Sequence, residues 1–288
     1  MNILILGGDS RYLEIIKDLS SKYNVDLVGY RNIYINDTIH NIDIKNLDIS
    51  KYNIIIFPIN GVMDNNLINC HFNSNPIQLP TDILINAQDN VLIFSGINTP
   101  NLNNMLKIAN KECTFLMNDT CVVKENAIPT VEGIIADIIT NTDITINNSN
   151  VLVLGYGNIG RVLVEYLNML GANTSVGIIL DKDKELLSKK NINSFYTTNR
   201  EQLIREINNN DIIINTVPQF IINDDDIKYI NPDAYILDIS SHPHGINKSM
   251  LDKYHIKNKL YLGIPGKIAP KTAGKILIKK INYIMEDN

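Results

Sequence analysis

One stretch constrains the fold more than any other: Val151–Gly171, VLVLGYGNIGRVLVEYLNMLG. Val151 to Leu154 are consecutive apolar residues, as in a strand buried on both faces. Gly155, Gly157 and Gly160 follow in the spacing G-x-G-x-x-G. Ile159, Val162, Leu163, Tyr166, Leu167 and Leu170 then recur at helical spacing as far as Gly171, a natural helix stop. Gly155 permits a tight strand-to-helix turn, Gly157 lets a pyrophosphate approach the backbone, and Gly160 lets the helix lie close to the strand. The free N–H groups at the helix start, around Asn158 and Ile159, would hold the phosphates. Such glycines alone are weak evidence, but between a strand and a helix they predict a dinucleotide-binding domain.

The chain has 288 residues, enough for one large or two ordinary domains. Its net charge of −5 argues against a nucleic-acid-binding surface. The start, MNILILGG, is apolar but has no basic leader and runs into a strand–turn–helix pattern, so it does not read as a signal peptide. No stretch reads as a membrane span. Cys70, Cys113 and Cys121 are scattered, without C-x-x-C spacing, and read as reduced core thiols of a cytoplasmic protein. No metal site is expected.

The N-terminal part holds a second strand–glycine–helix unit: Asn2–Leu6, then Gly7-Gly8-Asp9, then Arg11–Leu19. It has too few glycines for a dinucleotide fingerprint. Either it is a plain βα turn, or its backbone N–H groups and Arg11 hold a small carboxylate. Val25–Tyr30, residues 53–57, Val91–Phe94 and Cys113–Leu116 read as further strands, with a helix near Asn101–Asn110. Strands alternating with helices imply a mostly parallel sheet. Asn60–Pro80 reads as an irregular polar loop.

Pro129 suits the first turn of a helix, with Ile128, Ile135, Ile138 and Ile139 as its apolar stripe. This predicts a bridging helix over 128–148. Thr130 and Glu132 at its start would either touch substrate or cap the helix. Beyond the fingerprint, Thr174–Leu180 reads as the second strand of the nucleotide domain. Asp181 lies 21 residues past Gly160, near the position where an acidic residue bonds the ribose of NAD. Lys182 and Lys184 would instead suit a 2′-phosphate, so the cofactor choice stays open. Short strands are expected at 194–197, 211–215, 234–239 and 260–262, with a helix over Arg200–Asn208. Asn215-Thr216-Val217-Pro218 follows a strand where the nicotinamide end would lie, unless it is a simple proline turn. His242 and His244 flank Pro243 in a loop; they are candidate acid/base or hydrogen-bonding groups, or plain loop histidines. Gly263-Ile-Pro-Gly266 reads as a turn and Ala269–Met285 as a helix with Lys271 in its first turn.

The fold predicted is α/β: two doubly wound parallel-sheet domains with an interdomain cleft, the C-terminal one a Rossmann NAD(P)-binding domain. Residues 1–127, completed by helix 269–288, form the substrate domain, and 149–268 the nucleotide domain.

Laid out this way, the chain resembles the dipicolinate synthase A-chain family, sporulation enzymes of endospore-forming bacteria. The resemblance spans nearly the whole length. It rests on Gly7-Gly8-Asp9 with Arg11 and Glu14, on Asn126–Gly133 and on Gly155–Gly160. It also rests on Asn215–Pro218, Asp238–Ser241 and Gly263–Gly274. It implies NADP-linked formation of pyridine-2,6-dicarboxylate from a dihydrodipicolinate-type intermediate of the lysine pathway, in the mother-cell cytoplasm. The partner it implies is the flavoprotein-like B subunit of dipicolinate synthase. Homo-oligomerisation stays open. Members carry an Arg just after the second nucleotide-domain strand; here the stretch reads Gly177-Ile-Ile-Leu-Asp-Lys182, so NAD is also allowed. A dianionic substrate needs donors at both carboxylates. Gly8, Asp9, Arg11 and Thr130 with Lys267 or Lys271 are the candidates. Glu132, His242 or His244 would take the proton. The alternatives are another two-domain dehydrogenase acting on a 2-hydroxy or amino acid, and a nucleotide-sensing regulatory protein.

Overall fold

The computed structural model describes residues 1–31 and 39–287. The chain divides into two compact units. One is Met1–Asn126 with Pro265–Asn288, the other Ala127–Ile264. No helix among the described residues is long and apolar enough to cross a membrane.

In the first unit the elements run β1 (Asn2–Leu6), α1 (Tyr12–Ser20), β2 (Asn24–Val28), β3 (Ile39–Asn41), β4 (Ile54–Ile56), β5 (Leu67–Ile68), β6 (Ile77–Gln78), β7 (Leu92–Ser95), α2 (Pro100–Ala109) and β8 (Thr114–Phe115). Helix α3 (Thr120–Asn141) follows. The second unit continues with β9 (Asn150–Leu154), α4 (Asn158–Met169), β10 (Asn173–Ile178), α5 (Asp181–Lys189), β11 (Asn193–Tyr196), α6 (Arg200–Asn209), β12 (Ile212–Asn215), β13 (Tyr235–Asp238), α7 (Lys248–Lys253) and β14 (Asn258–Leu260). Helices α8 (Ile264–Ile268) and α9 (Pro270–Glu286) close the chain.

Each unit is built on a six-stranded sheet, ordered β3-β2-β1-β4-β7-β8 in the first and β11-β10-β9-β12-β13-β14 in the second. Every pairing in both is parallel. Numbered within each unit, both orders are 3-2-1-4-5-6, the doubly wound arrangement with a switch point between its first and fourth strands. Strand alternation decides which helix covers which face. Ile3 and Ile5 pack with Ile15, Ile16 and Leu19 of α1 and Leu277 and Ile281 of α9. Leu4 and Leu6 face the other way, into a core with Leu102 and Met105 of α2. In the second unit Val151 and Val153 meet Leu163 and Leu167 of α4 and Val131, Ile134 and Ile138 of α3. Leu152 and Leu154 meet Leu203 and Ile207 of α6.

Several local expectations are corrected. Helix α3 begins at Thr120, capped by Asp119, whose Oδ1 accepts from the N–H groups of Cys121 at 2.9 Å and Val122 at 3.0 Å. Pro129 therefore lies inside the helix, and Thr130 and Glu132 are mid-helix residues, not caps. The buried stripe is Ala127, Val131, Ile134 and Ile138, at i, i+4, i+7 and i+11, whereas Ile128 is 45% and Ile139 61% exposed. Asn60–Pro80 is not merely a loop: it carries the antiparallel β5–β6 pair, and Cys70 bridges to Gly8. Gly263–Gly266 is not just a turn, because α8 starts at Ile264. Among the cysteines, Cys70 is buried and Cys113 partly so, their thiols pushed up by burial to about 11 and about 12, but Cys121 is exposed, not a core residue.

Candidate functional site: a glycine turn, a buried polar bracket and a guanidinium loop

In the second unit the switch point lies between β9 and β12, and the fingerprint turn sits at its carboxyl end. The three glycines meet different surroundings. Gly155 has φ +100°, and a Cβ there would lie 2.5 Å from both Thr216 Oγ1 and Val217 Cγ2. A Cβ at Gly160 would lie 2.3 Å from the carbonyl oxygen of Gly155, so close packing of α4 on the turn requires glycine. At Gly157 a Cβ would have nothing within 4 Å. Packing therefore accounts for two of the glycines. The third faces open space at the N-terminus of α4, where Gly157 is the cap and supplies no capping side chain. Asn158 is exposed and Ile159 half-buried beside it. This is a cradle into which an anion's oxygens can descend onto backbone N–H groups.

The neighbouring turn is held against the first. Thr216 donates from Oγ1 to Leu154 O at 2.9 Å, and Val217 packs where Gly155 has no side chain. Pro218 follows and is exposed, and neither it nor Thr216 belongs to a core cluster of this unit. Behind them lies a polar bracket that the sequence does not mark as one unit. Asn215, wholly buried at the end of β12, donates from Nδ2 to Val217 O and to Asp238 Oδ1, both at 2.9 Å. Asp238, buried at the end of β13, also accepts from Ser240 Oγ at 2.7 Å, Ser240 N at 2.9 Å and Gly245 N at 2.9 Å. A Cβ at Gly245 would come within 2.0 Å of Asn215 Nδ2 and 2.7 Å of Val217 O. The bracket thus fixes the His242–His244 loop against the Thr216–Pro218 turn. His242–Pro243 is a cis peptide bond. The two imidazoles stack with centroids 5.7 Å apart, and His244 Nδ1 lies 2.9 Å from Ser240 O. His242 is exposed and His244 half-buried. Among the described residues no group of three or more metal-ligating side chains is assembled.

Asp181 and Lys182 lie beyond β10, not on the strand, but exposed in the first turn of α5. Asp181 Oδ1 accepts from Tyr196 Oη at 2.6 Å. Lys184 donates to Ser194 O and lies over the Tyr196 ring, 5.9 Å from its centroid. Thr130 is buried and Glu132 exposed along α3, whose Asp137 accepts from Tyr235 Oη at 2.5 Å.

In the first unit the loop after β1 is built differently. Gly7 and Gly8 take φ of +60° and +123°, but their N–H groups already donate to Val28 O at 2.8 Å and Asn69 O at 2.7 Å. Asp9 grips Arg11 through Nε at 2.9 Å and Nη2 at 2.6 Å, and its Oδ1 also accepts from Arg11 N at 3.1 Å. Burial pushes the Asp9 carboxyl up, but hydrogen bonds and charge from Arg11, with a smaller contribution from His71, hold it below the usual range. Of the two readings of this loop, the one in which its backbone N–H groups hold a carboxylate is corrected for Gly7 and Gly8, whose N–H groups are already bonded. The glycine N–H groups are used within the fold, Asp9 occupies two of the three guanidinium nitrogens, and Nη1 stands outside the pair. Gly266 of α8 lies over it, a Cβ there falling 3.0 Å from Arg11 Nε and 3.1 Å from Asp9 Oδ2. Gly274 of α9 packs on Arg11 O. Lys267 follows Gly266 in α8 and Lys271 lies three residues before Gly274 in α9, and both are exposed.

Comparison with known proteins agrees with this architecture. A family model for the N-terminal domain of the dipicolinate synthase A chain matches residues 2–117. The A chain of dipicolinate synthase from Bacillus subtilis (strain 168) is 31% identical over 291 residues, covering 100% of this chain and 96% of its own. The crystal structure of the corresponding A chain from Bacillus halodurans superposes with a TM-score of 0.92 at 29% identity, over 98% of this chain and 97% of that one. An L-alanine dehydrogenase shares the fold, with a TM-score of 0.64 at 11% identity over 99% of this chain and 89% of that one. With relatives matched end to end over two Rossmann-type units, the chain belongs to the dipicolinate synthase A-chain family.

Proposed function

We propose that the chain is an NAD(P)-dependent oxidoreductase. On this reading it oxidises a dihydrodipicolinate-type intermediate of the lysine pathway to dipicolinate, in the mother-cell cytoplasm of a sporulating bacterium. The observation that carries the proposal is the contrast among the fingerprint glycines. Gly155 and Gly160 are filled by the protein itself, while Gly157 opens a cradle at a helix N-terminus. That is the donor set a dinucleotide pyrophosphate needs. When bound, a nicotinamide would supply the hydride acceptor.

The rest falls to the chain's own side chains. The Asn215–Asp238–Ser240 bracket keeps Thr216, Val217 and Pro218 in place beside the glycine turn. Aromatising a dihydropyridine also releases a proton. His244, with Nδ1 at Ser240 O, has Nε2 left to accept one; His242 and Glu132 are the other candidates. The substrate's two carboxylates call for cations, and we assign them to Arg11 Nη1, held in place by Asp9, and to Lys267 or Lys271. We further propose that the chain works with a flavoprotein-like partner, the B subunit of dipicolinate synthase.

The test is turnover of freshly made precursor, with NAD or NADP, with and without that partner. Ultraviolet absorbance of the aromatic product that rises only when nucleotide is present supports the proposal. Nucleotide binding without any product would favour a sensing role instead.

A further inference from the structure

The adenosine end of the nucleotide site is the part of the second unit that the glycine turn leaves undetermined. In a doubly wound sheet it lies beyond the strand neighbouring the fingerprint strand, here β10. Four features meet there. Ile179 and Leu180 are 68% and 44% exposed, an apolar surface just past the strand. Asp181 follows in the first turn of α5, with one carboxylate oxygen fixed by the Tyr196 hydroxyl. Lys184 donates to Ser194 O while lying over the Tyr196 ring. Arg161 is held by Tyr156 O at 3.0 Å through Nε and by Asp183 Oδ1 at 2.8 Å through Nη2.

From this arrangement we infer that the site selects NAD over NADP, with Asp181 as the selecting residue and Tyr196 as the group that positions it. The inference rests on the dinucleotide reading above and departs from the NADP that the family resemblance implies. A ribose with free 2′- and 3′-hydroxyls has protons to donate, and Asp181 Oδ2 remains to accept them. A 2′-phosphate has acceptor oxygens in that position and brings roughly two negative charges toward a fixed carboxylate. Of the nearby cations named here, Lys184 donates to Ser194 O beside the Tyr196 ring, Arg161 keeps only Nη1 outside its bonds and has its charge balanced by Asp183, and Lys182 is an exposed side chain next to Asp181. Exposed ion pairing of the kind Lys182 could offer contributes little. Ile179 and Leu180 offer the adenine ring an apolar contact, which serves both cofactors equally.

The experiment is equilibrium titration of the full chain with NADH and with NADPH, followed by nicotinamide fluorescence and repeated with Asp181→Asn and Tyr196→Phe. 5′-AMP and adenosine 2′,5′-bisphosphate serve as competitors to isolate the adenosine end. Thermal melts confirm that each variant is folded. The wild type should bind NADH about tenfold or more tightly than NADPH. Asp181→Asn should bring the two to within about threefold of each other. Tyr196→Phe should weaken NADH about threefold and leave NADPH unmoved. NADPH binding as tight as NADH, or a preference that survives Asp181→Asn, overturns the inference while leaving the dinucleotide reading intact. Binding of neither nucleotide overturns both.

Discussion

Asn215 and Asp238 end neighbouring parallel strands, and their side chains meet in the buried space between the two loops that follow, Nδ2 to Oδ1 at 2.9 Å. This contact orders the backbone of the Thr216–Pro218 turn, where the proposed function puts the nicotinamide. Replacing Asn215 with Ala removes the donor shared by Val217 O and Asp238 and leaves buried acceptors short of partners. Chemical denaturation should show a loss of about 2 kcal/mol. Nucleotide affinity should fall in the same variant, since the Thr216–Pro218 turn loses its support. Unchanged stability would mean that the bracket does not order the loops.

The glycines of the fingerprint should separate stability from binding. Gly157→Ala places its methyl group in open space and should alter stability by less than about 1 kcal/mol while weakening nucleotide binding. Gly160→Ala drives a methyl group against Gly155 O and should cost about 1–3 kcal/mol whether or not nucleotide is present. Calorimetric melts paired with nucleotide titration distinguish the two. A Gly157→Ala variant that binds nucleotide as the wild type does would contradict the cradle.

Asp9 and Arg11 give a pH signature. The folded-state pKa of Asp9 lies below its ordinary 3.8, so the pair stabilises the fold fully above about pH 3.8 and the contribution is lost as pH falls through the lower, folded value. Asp9→Asn should therefore be less stable than the wild type near neutral pH, with the gap closing in acid. A gap independent of pH would show that the carboxylate charge is not what holds Arg11.

Arg11→Ala and Lys271→Ala tell directly on the carboxylate assignment. Either should raise KM for the dicarboxylate about tenfold or more, with the KM for nucleotide moving far less. Unchanged substrate KM in both would remove the clamp from this loop. The double variant His242→Asn with His244→Asn should lose a pH-dependent limb of kcat, and an unaltered profile would move the base elsewhere.

How much of the molecule is legible in the sequence follows from the range of each signal. The apolar run of β9, the glycines and the helical period of α4 are contiguous, so that unit can be read directly from local sequence. The parallel sheets follow from alternating strands and helices. Strand β5 has two residues and β3 three, too short to show a period, and neither is expected from sequence. The start of α3 is obscured because Pro129 looks like an N1 residue, whereas the cap is Asp119, ten residues earlier. Its buried stripe is obscured because the isoleucines outweigh Ala127 and Val131 in hydropathy. In the site, the sequence marks Asn215 and Asp238 separately, as parts of two motifs. Their contact depends on β12 and β13 lying side by side, 23 positions apart in the chain. Asp9 and Arg11 stand two residues apart in plain view, but nothing in the sequence says that the guanidinium turns back on its own loop.

The central claim is that hydride passes from a dihydropyridine dicarboxylate to nicotinamide on this chain. The measurement that tests it most directly is stoichiometry under strict exclusion of oxygen, with the partner present, because air alone can aromatise a dihydropyridine. The account predicts one reduced nicotinamide formed for each dipicolinate released, with both abolished in parallel by weakened nucleotide binding in Gly157→Ala. Dipicolinate formed without matching reduced nicotinamide would contradict it.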